Sequence, residues 1–388
     1  MAATVSGVGD GLSIAALPLL ARTVTADARW IGLVFFLQKL PWVFAMFTGA
    51  LADRTSPITV MVSADLSRAC ILSVLAVTVA TGGASLVVIC FTALAMGTIE
   101  SLFFAGASAA VPGLVPRELL TRANSRLQGL SIAGQQFVGP GVGGFLFAAA
   151  ASVPFFGDAA SFLISAMFLT TLPPLQPEQR PERNLRREVR DALTWTRQSK
   201  LIVSLTAFIT TAAMCQGAVF AVLVIYGRDE LGLSNGGYGV LLAVIAIGNL
   251  IGVAVSERIV RRLGPAATLL WSALVASGAY ATCGLVVSTP LAVAALTVEA
   301  VAIGVGGVAS VAIRQAAIPD GMRGRVGNMM RAGIYGIGAV GGLIGGFVAN
   351  ATTAKITFLF AGMAGVLGVL ITGNWLREAL RESDLRIA

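Results

Sequence analysis

The sequence predicts an all-α integral membrane protein of twelve transmembrane helices, built as two pseudo-symmetric six-helix bundles. Three observations carry that prediction: a composition too apolar for a water-soluble chain, twelve apolar runs of spanning length, and a faint repeat between the halves. Only 12% of the 388 residues are charged while 56% are hydrophobic, and the mean hydropathy is +0.85. A soluble domain carries about twice that charge.

About 20 apolar residues cross a bilayer as a helix. Such runs lie at 3–22, 31–52, 58–80, 85–106, 129–150, 154–172, 201–224, 237–256, 266–287, 290–312, 329–350 and 355–375. Several are rich in Gly, Ser and Thr, as packed membrane helices are. The short alternating segments of a β-barrel are not the pattern. The first run starts close to Met1, with no basic residue before it and no convincing cleavage site after it. It therefore reads as a span and not as a signal peptide.

Orientation follows from the basic residues. With an even number of spans both termini share one side, and 21 of the 27 Lys and Arg residues fall in the loops and tail of that side. Four (Arg22, Arg29, Arg228 and Lys355) fall on the other, and Lys39 and Arg68 lie inside spans. The excess places both termini in the cytoplasm of a multi-pass cell-membrane protein. The net charge of +8 is then a topology signal and implies no nucleic-acid partner.

Residues 173–200, PPLQPEQRPERNLRREVRDALTWTRQSK, separate six spans from six. The expected organisation is an N-terminal bundle over 1–172, a cytoplasmic linker over 173–200, and a C-terminal bundle with a short tail over 201–388. Proline then charge then amphipathicity around Leu193 and Trp195 predicts a helix on the inner membrane surface in the linker's second half. The halves also resemble one another: PRELLTRANS at 116–125 pairs with PDGMRGRVGN at 319–328, and GPGVGG at 139–144 with GGLIGG at 341–346. A separation of about 200 residues fits duplicated six-helix units.

Catalysis finds little support. Without histidine, Ser–His and Cys–His nucleophiles and the usual zinc sites are excluded. Cys70, Cys90, Cys215 and Cys283 are scattered singly through spans, as small apolar residues are. There is no phosphate-binding G-x-x-x-x-G-K-[ST] loop. No enzyme, no metal and no cofactor is expected, and energy must come from a gradient or a partner.

Charges inside spans locate the candidate site, because an ionised carboxylate at mid-span costs about 2.5–3.5 kcal/mol on insertion scales. Asp10, Glu100 and Glu299 qualify. Asp10 shares a helix face with Ser6 and Ser13, Glu100 has Met96 and Phe103–Phe104 a turn away, and Glu299 has Gly306 and Ser310 on its face. Lys39, beside Gln38, is a partner for one of these acids, and a structural ion pair is the alternative role for each. Gln135, Gln136, Gln216, Asn249 and Tyr335 supply neutral hydrogen bonds. With no histidine to carry a proton, Asp10 or Glu100 is the first candidate and Glu299 the next.

GALADR at 49–54 resembles the loop signature of the major facilitator superfamily, and GPGVGG resembles that superfamily's antiporter-type motif in span 5. GDGLSIAALPLL at 9–20, GTIESLFFAGASAAVPGLVP at 97–116, ANSRLQ at 123–128, QFVGPGVGGFLFA at 136–148, DAASFLISA at 158–166 and RGRVGN at 323–328 look like its proton-linked drug and siderophore exporters. These are the enterobactin-exporter and macrolide-efflux-like proteins of actinobacterial type. The resemblance implies a monomeric carrier that exchanges a hydrophobic or amphiphilic small molecule for protons. Uptake by symport, or a transporter-like sensor without flux, are the alternatives. It also implies an inner-gate latch at Gly49, Asp53 and Arg54, with Asp65 and Arg68 as a nearby pair that shares the role. The family usually continues with basic residues where this chain has SPI, which weakens the latch, and Asp53–Arg54 also fits an ordinary helix-end anchor. In span 5, Gly139, Pro140, Gly141, Gly143 and Gly144 predict a kinked helix that approaches a neighbour closely. The resemblance reads this as a leak-resistant contact between the halves, and plain packing is the alternative.

Overall fold

A computed structural model describes residues 2–44, 55–120, 133–173, 175, 185–286, 288–319 and 322–382. In the first half, α1 is Ala2–Val24, α2 Ala28–Lys39, α3 Pro57–Ala80, α4 Leu86–Leu114, α5 Gly139–Ala149 and α6 Val153–Thr170. A linker helix, α7, covers Leu185–Gln198. The second half follows with α8 Lys200–Ile225, α9 Asn235–Leu263, α10 Pro265–Leu285, α11 Thr289–Ala317, α12 Arg323–Ala351 and α13 Ala354–Glu382. Among the described residues, nine helices (α3, α4, α6 and α8–α13) are long and apolar enough to cross a membrane. The remaining three predicted spans hold α1, α2 and the shorter apolar α5.

Local chemistry sets the ends. Asp27 accepts a hydrogen bond from the Arg29 backbone N–H at 2.9 Å and caps α2. The Arg29 guanidinium also donates to it, at 2.6 Å from Nη2, and holds that carboxyl below its ordinary range. Pro41 lies in the turn of 3₁₀ helix, Leu40–Phe44, that follows α2. Pro57 opens α3 at a position where a missing N–H costs nothing. Ser85 caps α4 through the Val88 N–H. Gly264, at φ 78°, takes the left-handed conformation that stops α9 immediately before Pro265. Several helices outrun the apolar stretches that predict them, α4 by eight residues at its C-terminal end, because a helix continues past the hydrocarbon into the interface.

Contacts group the chain into two compact units: residues up to 182 with 227–243, and 183–226 with 244–388. Within the first, α1 packs on α5 and α6, α3 on α4 and α6, and α2 on α4. Within the second, α8 packs on α12 and α13, and α10 on α11 and α13. The same pairs thus recur six spans later. The glycines recur with them. A Cβ on Gly139 would lie 2.4 Å from Gly11 Cα and one on Gly143 2.6 Å from Leu12 O, while Gly341 and Gly345 stand 2.1 and 2.4 Å from Met214 O and Ala218 O. Backbones touch at both places, as small-residue seams allow.

The linker helix α7 docks onto the second unit. Ala192 is fully buried and Trp195 partly so, in a core that includes Leu201, Leu205, Ile313, Ile318, Val326 and Met330. The face expected to lie on lipid is thus partly used in packing against protein, while Leu193 stays exposed.

Candidate functional site

In the first unit, five helices, α1 to α4 and α6, bring charge to one place. Arg68 of α3 is 1% exposed. Its Nη2 lies 2.5 Å from Asp65 Oδ1, one turn earlier on the same helix, and its Nη1 lies 3.7 Å from Asp10 Oδ1 of α1. The guanidinium is sandwiched between the rings of Phe103 and Phe162, 4.5 and 4.1 Å from their centroids. Such stacking stabilises a desolvated cation where hydrogen bonds are few, and Arg68 Nε has no hydrogen-bond partner among the described residues. Behind this pair, Asp158 of α6 is completely buried and accepts hydrogen bonds from the hydroxyls of Ser13 and, at 3.4 Å, Ser161. Gly9 makes room for it: a Cβ there would stand 2.5 Å from Asp158 Oδ1.

A cavity of about 50 Å³ opens on this cluster, lined by Asp10, Ser13, Gln38, Lys39, Arg68, Glu100 and Gln135 among others. Four carboxylates, Asp10, Asp65, Glu100 and Asp158, stand against two cations, Lys39 and Arg68. The arrangement has acidic groups beyond those its bases neutralise, in a water-poor interior where unpaired charge is costly.

The second unit is different. Glu299 of α11 is 2% exposed and accepts a hydrogen bond from the Tyr280 hydroxyl of α10 at 2.6 Å. Beside Tyr280 lies a cavity of 270 Å³, lined mainly by apolar residues such as Phe208, Leu269, Ala276 and Val369. Its polar lining includes Thr211, Gln216, Ser272, Ser277, Ser310 and, as its one charged residue, Arg314.

A family profile, the Major Facilitator Superfamily, matches residues 1–326. The chain belongs to the major facilitator superfamily. Among its curated relatives is the enterobactin exporter EntS of Escherichia coli O1:K1, 26% identical over 386 residues that cover 98% of this chain and 91% of that one. The EntS of Shigella boydii serotype 18 matches to the same extent. Among solved structures, a mutant of the nucleoside transporter NupG superposes with a TM-score of 0.79 at 13% identity, covering 96% of this chain and 98% of that one. A bacterial homologue of the human lysosomal transporter Spinster, inward-facing and unoccupied, gives 0.72 at 14% identity, covering 98% and 96%. The expected fold, two six-helix bundles spanning the membrane many times, is therefore that of this superfamily.

In this superfamily member the residues singled out by sequence divide between the units. Asp10, Lys39, Glu100 and Gln135 share one cavity. Glu299 and Gln216 belong to the second unit, with Gln216 in its cavity. Asn249 Nδ2 donates to Ala300 O at 3.4 Å, a helix-packing contact between α9 and α11. Tyr335 is half-buried on α12. Gly49, Asp53 and Arg54 of the gate motif, and the side chain of Gln136, lie outside the described residues. Asp65 and Arg68 sit two to three turns inside α3 and are buried against Asp10, part of the interior cluster and not of a surface turn. In span 5, a π-helical turn at Ala133–Val138 precedes Pro140, a loosened ladder of the kind proline imposes. One face of α5 meets α1, and the other meets α9: a Cβ on Gly144 would lie 2.7 Å from Gly239 Cα.

Asp158 was missed. It lies inside the predicted span 154–172 and met the same criterion as Asp10, an acid within an apolar run. Ser13, expected on the face of Asp10, lines the same cavity and donates its hydroxyl to Asp158. Among the described residues no cluster of three or more metal-ligating side chains occurs.

Proposed function

We propose that this chain is a proton-coupled exporter that moves a hydrophobic or amphiphilic small molecule out of the cell by alternating access. The observation that carries the reading is the acid excess around Arg68. Protons taken up by Asp10 or Glu100, with Asp158 behind them, bring the cluster to neutrality, and their release restores ion pairing with Arg68 and Lys39. A site that alternates between these two charge states has different energies in two conformers, which is what coupling requires. Export is favoured over uptake by the similarity, across 98% of the chain, to proteins named enterobactin exporters. The working form is a monomer in the cell membrane, with both termini cytoplasmic. Gly49, Asp53 and Arg54 act as the inner-gate latch, and the glycines of α5 as a leak-resistant seam.

Flux in reconstituted vesicles tests the reading. With an imposed pH gradient and a labelled amphiphilic dye, the intact chain transports against the dye gradient and Asp10→Asn does not. Transport that persists after the proton gradient is collapsed refutes the coupling. Inward movement of dye under the same polarity refutes export.

A further inference from the structure

We propose that the second unit holds a binding slot for a single-chain acyl anion, with its hydrocarbon tail in the 270 Å³ cavity and its anionic head on Arg314. The slot lies inside one bundle, among α8, α10, α11 and α13, and the inference stands whether or not the chain is an exporter. Its volume of 270 Å³ is well above the roughly 150 Å³ that accepts benzene. On α11 the lining runs from Ala302 to Arg314, about 18 Å at 1.5 Å per residue. A volume so drawn out suits an extended chain better than a compact ring system. The walls are Phe208, Leu269, Ala276 and Val369, and Gly307 leaves open space where a side chain would be.

Arg314 marks one end. It is half-buried, and among the described residues it makes no ion pair. It makes a long hydrogen bond, 3.4 Å, from Nε to Ser310 O one turn back. Burial strips water from its guanidinium, and Arg331 of α12 adds a like charge to its surroundings. A guanidinium has five N–H donors in a fork that matches a carboxylate or a phosphate, so an anion seated here would meet donors and relieve the repulsion. At the far end the Tyr280 hydroxyl is already given to Glu299, and among the described residues Arg314 is the one cationic group in the lining.

The test uses the purified, delipidated full chain in detergent, titrated with decanoate, decanol and inorganic phosphate. Decanoate binds, decanol binds at least about tenfold more weakly for want of a charge-assisted hydrogen bond, and phosphate alone does not bind. Arg314→Gln lowers decanoate affinity to that of decanol and leaves decanol unchanged, which also shows that the variant is folded. Arg314→Lys retains most of the difference. Gly307→Leu fills the slot and abolishes binding of both, at an unchanged melting temperature. Native mass spectrometry separates the sources. A co-purified single-chain lipid that decanoate displaces identifies a bilayer occupant, and a bare chain that binds decanoate identifies a free acyl anion; each supports the slot. Failure of decanoate to bind, equal affinity for decanoate and decanol, or indifference of a folded Gly307→Leu chain overturns it.

Discussion

The two units share a packing plan and differ in what they bury. Each repeats the same helix pairs, and each closes its first-to-fifth helix contact with glycines on bare backbone. Yet α3 brings Asp65 and Arg68 into the interior, whereas α10, its counterpart six spans later, brings Ser272 and Tyr280. The first unit spends its interior on charge and leaves a cavity of about 50 Å³. The second holds one buried acid on a tyrosine and keeps 270 Å³ of mostly apolar space. Duplication supplies a frame whose stability rests on small-residue seams, so its interior positions are released for different chemistry. The difference suits one half to handle ions and the other to hold an apolar body.

The largest effect that tests this contrast is expected at Arg68. Arg68→Leu leaves Asp65 and Asp10 buried without their cation, and removal of one partner of a buried pair costs about 3–5 kcal/mol. Thermal unfolding in detergent should show a deep loss of stability, and flux should vanish. Arg68→Lys should rescue little, because an ammonium neither stacks between Phe103 and Phe162 as a planar group does nor spans two carboxylates. A stable, active Arg68→Leu chain would mean that the first unit's charge is incidental, and the contrast between units would collapse.

Much of the fold was legible because apolar run length needs no knowledge of neighbours. Twelve runs, a charged linker and two glycine motifs suffice. The site was less legible for a physical reason. These helices are apolar on every face, so no amphipathic stripe tells which side of α1 or α6 turns inward. Asp10 stood out as an acid within an apolar run, with Ser6 and Ser13 on its face, but its meeting with Arg68 depends on the rotation of two helices. Ser13 shows the same limit: i+3 spacing from Asp10 puts both on one cavity, but spacing alone does not tell that its hydroxyl donates to Asp158 on another helix. Glu299 and Asp10 both read as intramembrane acids, with Asp10 ranked ahead, and their neighbours, a tyrosine for one and a guanidinium for the other, set their chemistry apart.

Glycine substitutions sharpen the comparison at the next level. Gly139→Ala pushes a methyl to 2.4 Å from Gly11 Cα, and overpacking of this kind costs about 1–3 kcal/mol. Gly307→Ala in the second unit meets nothing within 4 Å and should stay within about 0.5 kcal/mol of the parent. Melting temperatures of the two variants compare a seam with a slot directly. Equal losses would show that Gly307 is also packed.

Tyr280→Phe probes the second unit's acid. It removes the donor to Glu299 Oε1 and leaves a buried acceptor unpaired, a loss of about 1–3 kcal/mol. Stability should fall while proton-driven flux survives, since the acids proposed to couple lie in the first unit. Flux lost with stability intact would instead make Glu299 part of the proton path and blur the division of labour.

The smallest effect of a broken contact is expected at an ion pair between α1 and the stretch 227–243, where Arg22 Nη2 lies 2.9 Å from Asp229 Oδ2 with side-chain exposures of 28% and 39%. The geometry is bidentate at one oxygen, since Nε also reaches Oδ2 at 3.1 Å, and the chemistry is that of Arg68 with Asp65. Solvent changes the outcome. Water screens an exposed pair and the side chains lose entropy in forming it, so Arg22→Ala should cost only about 0–1 kcal/mol. Even that should disappear in high salt, because the Debye length shrinks to about 3 Å at 1 M. Melting temperatures of parent and variant at low and high salt measure it. A large loss that salt does not erase would show that Arg22 holds 227–243 against α1 through packing of its stem, and that burial is not what separates it from Arg68.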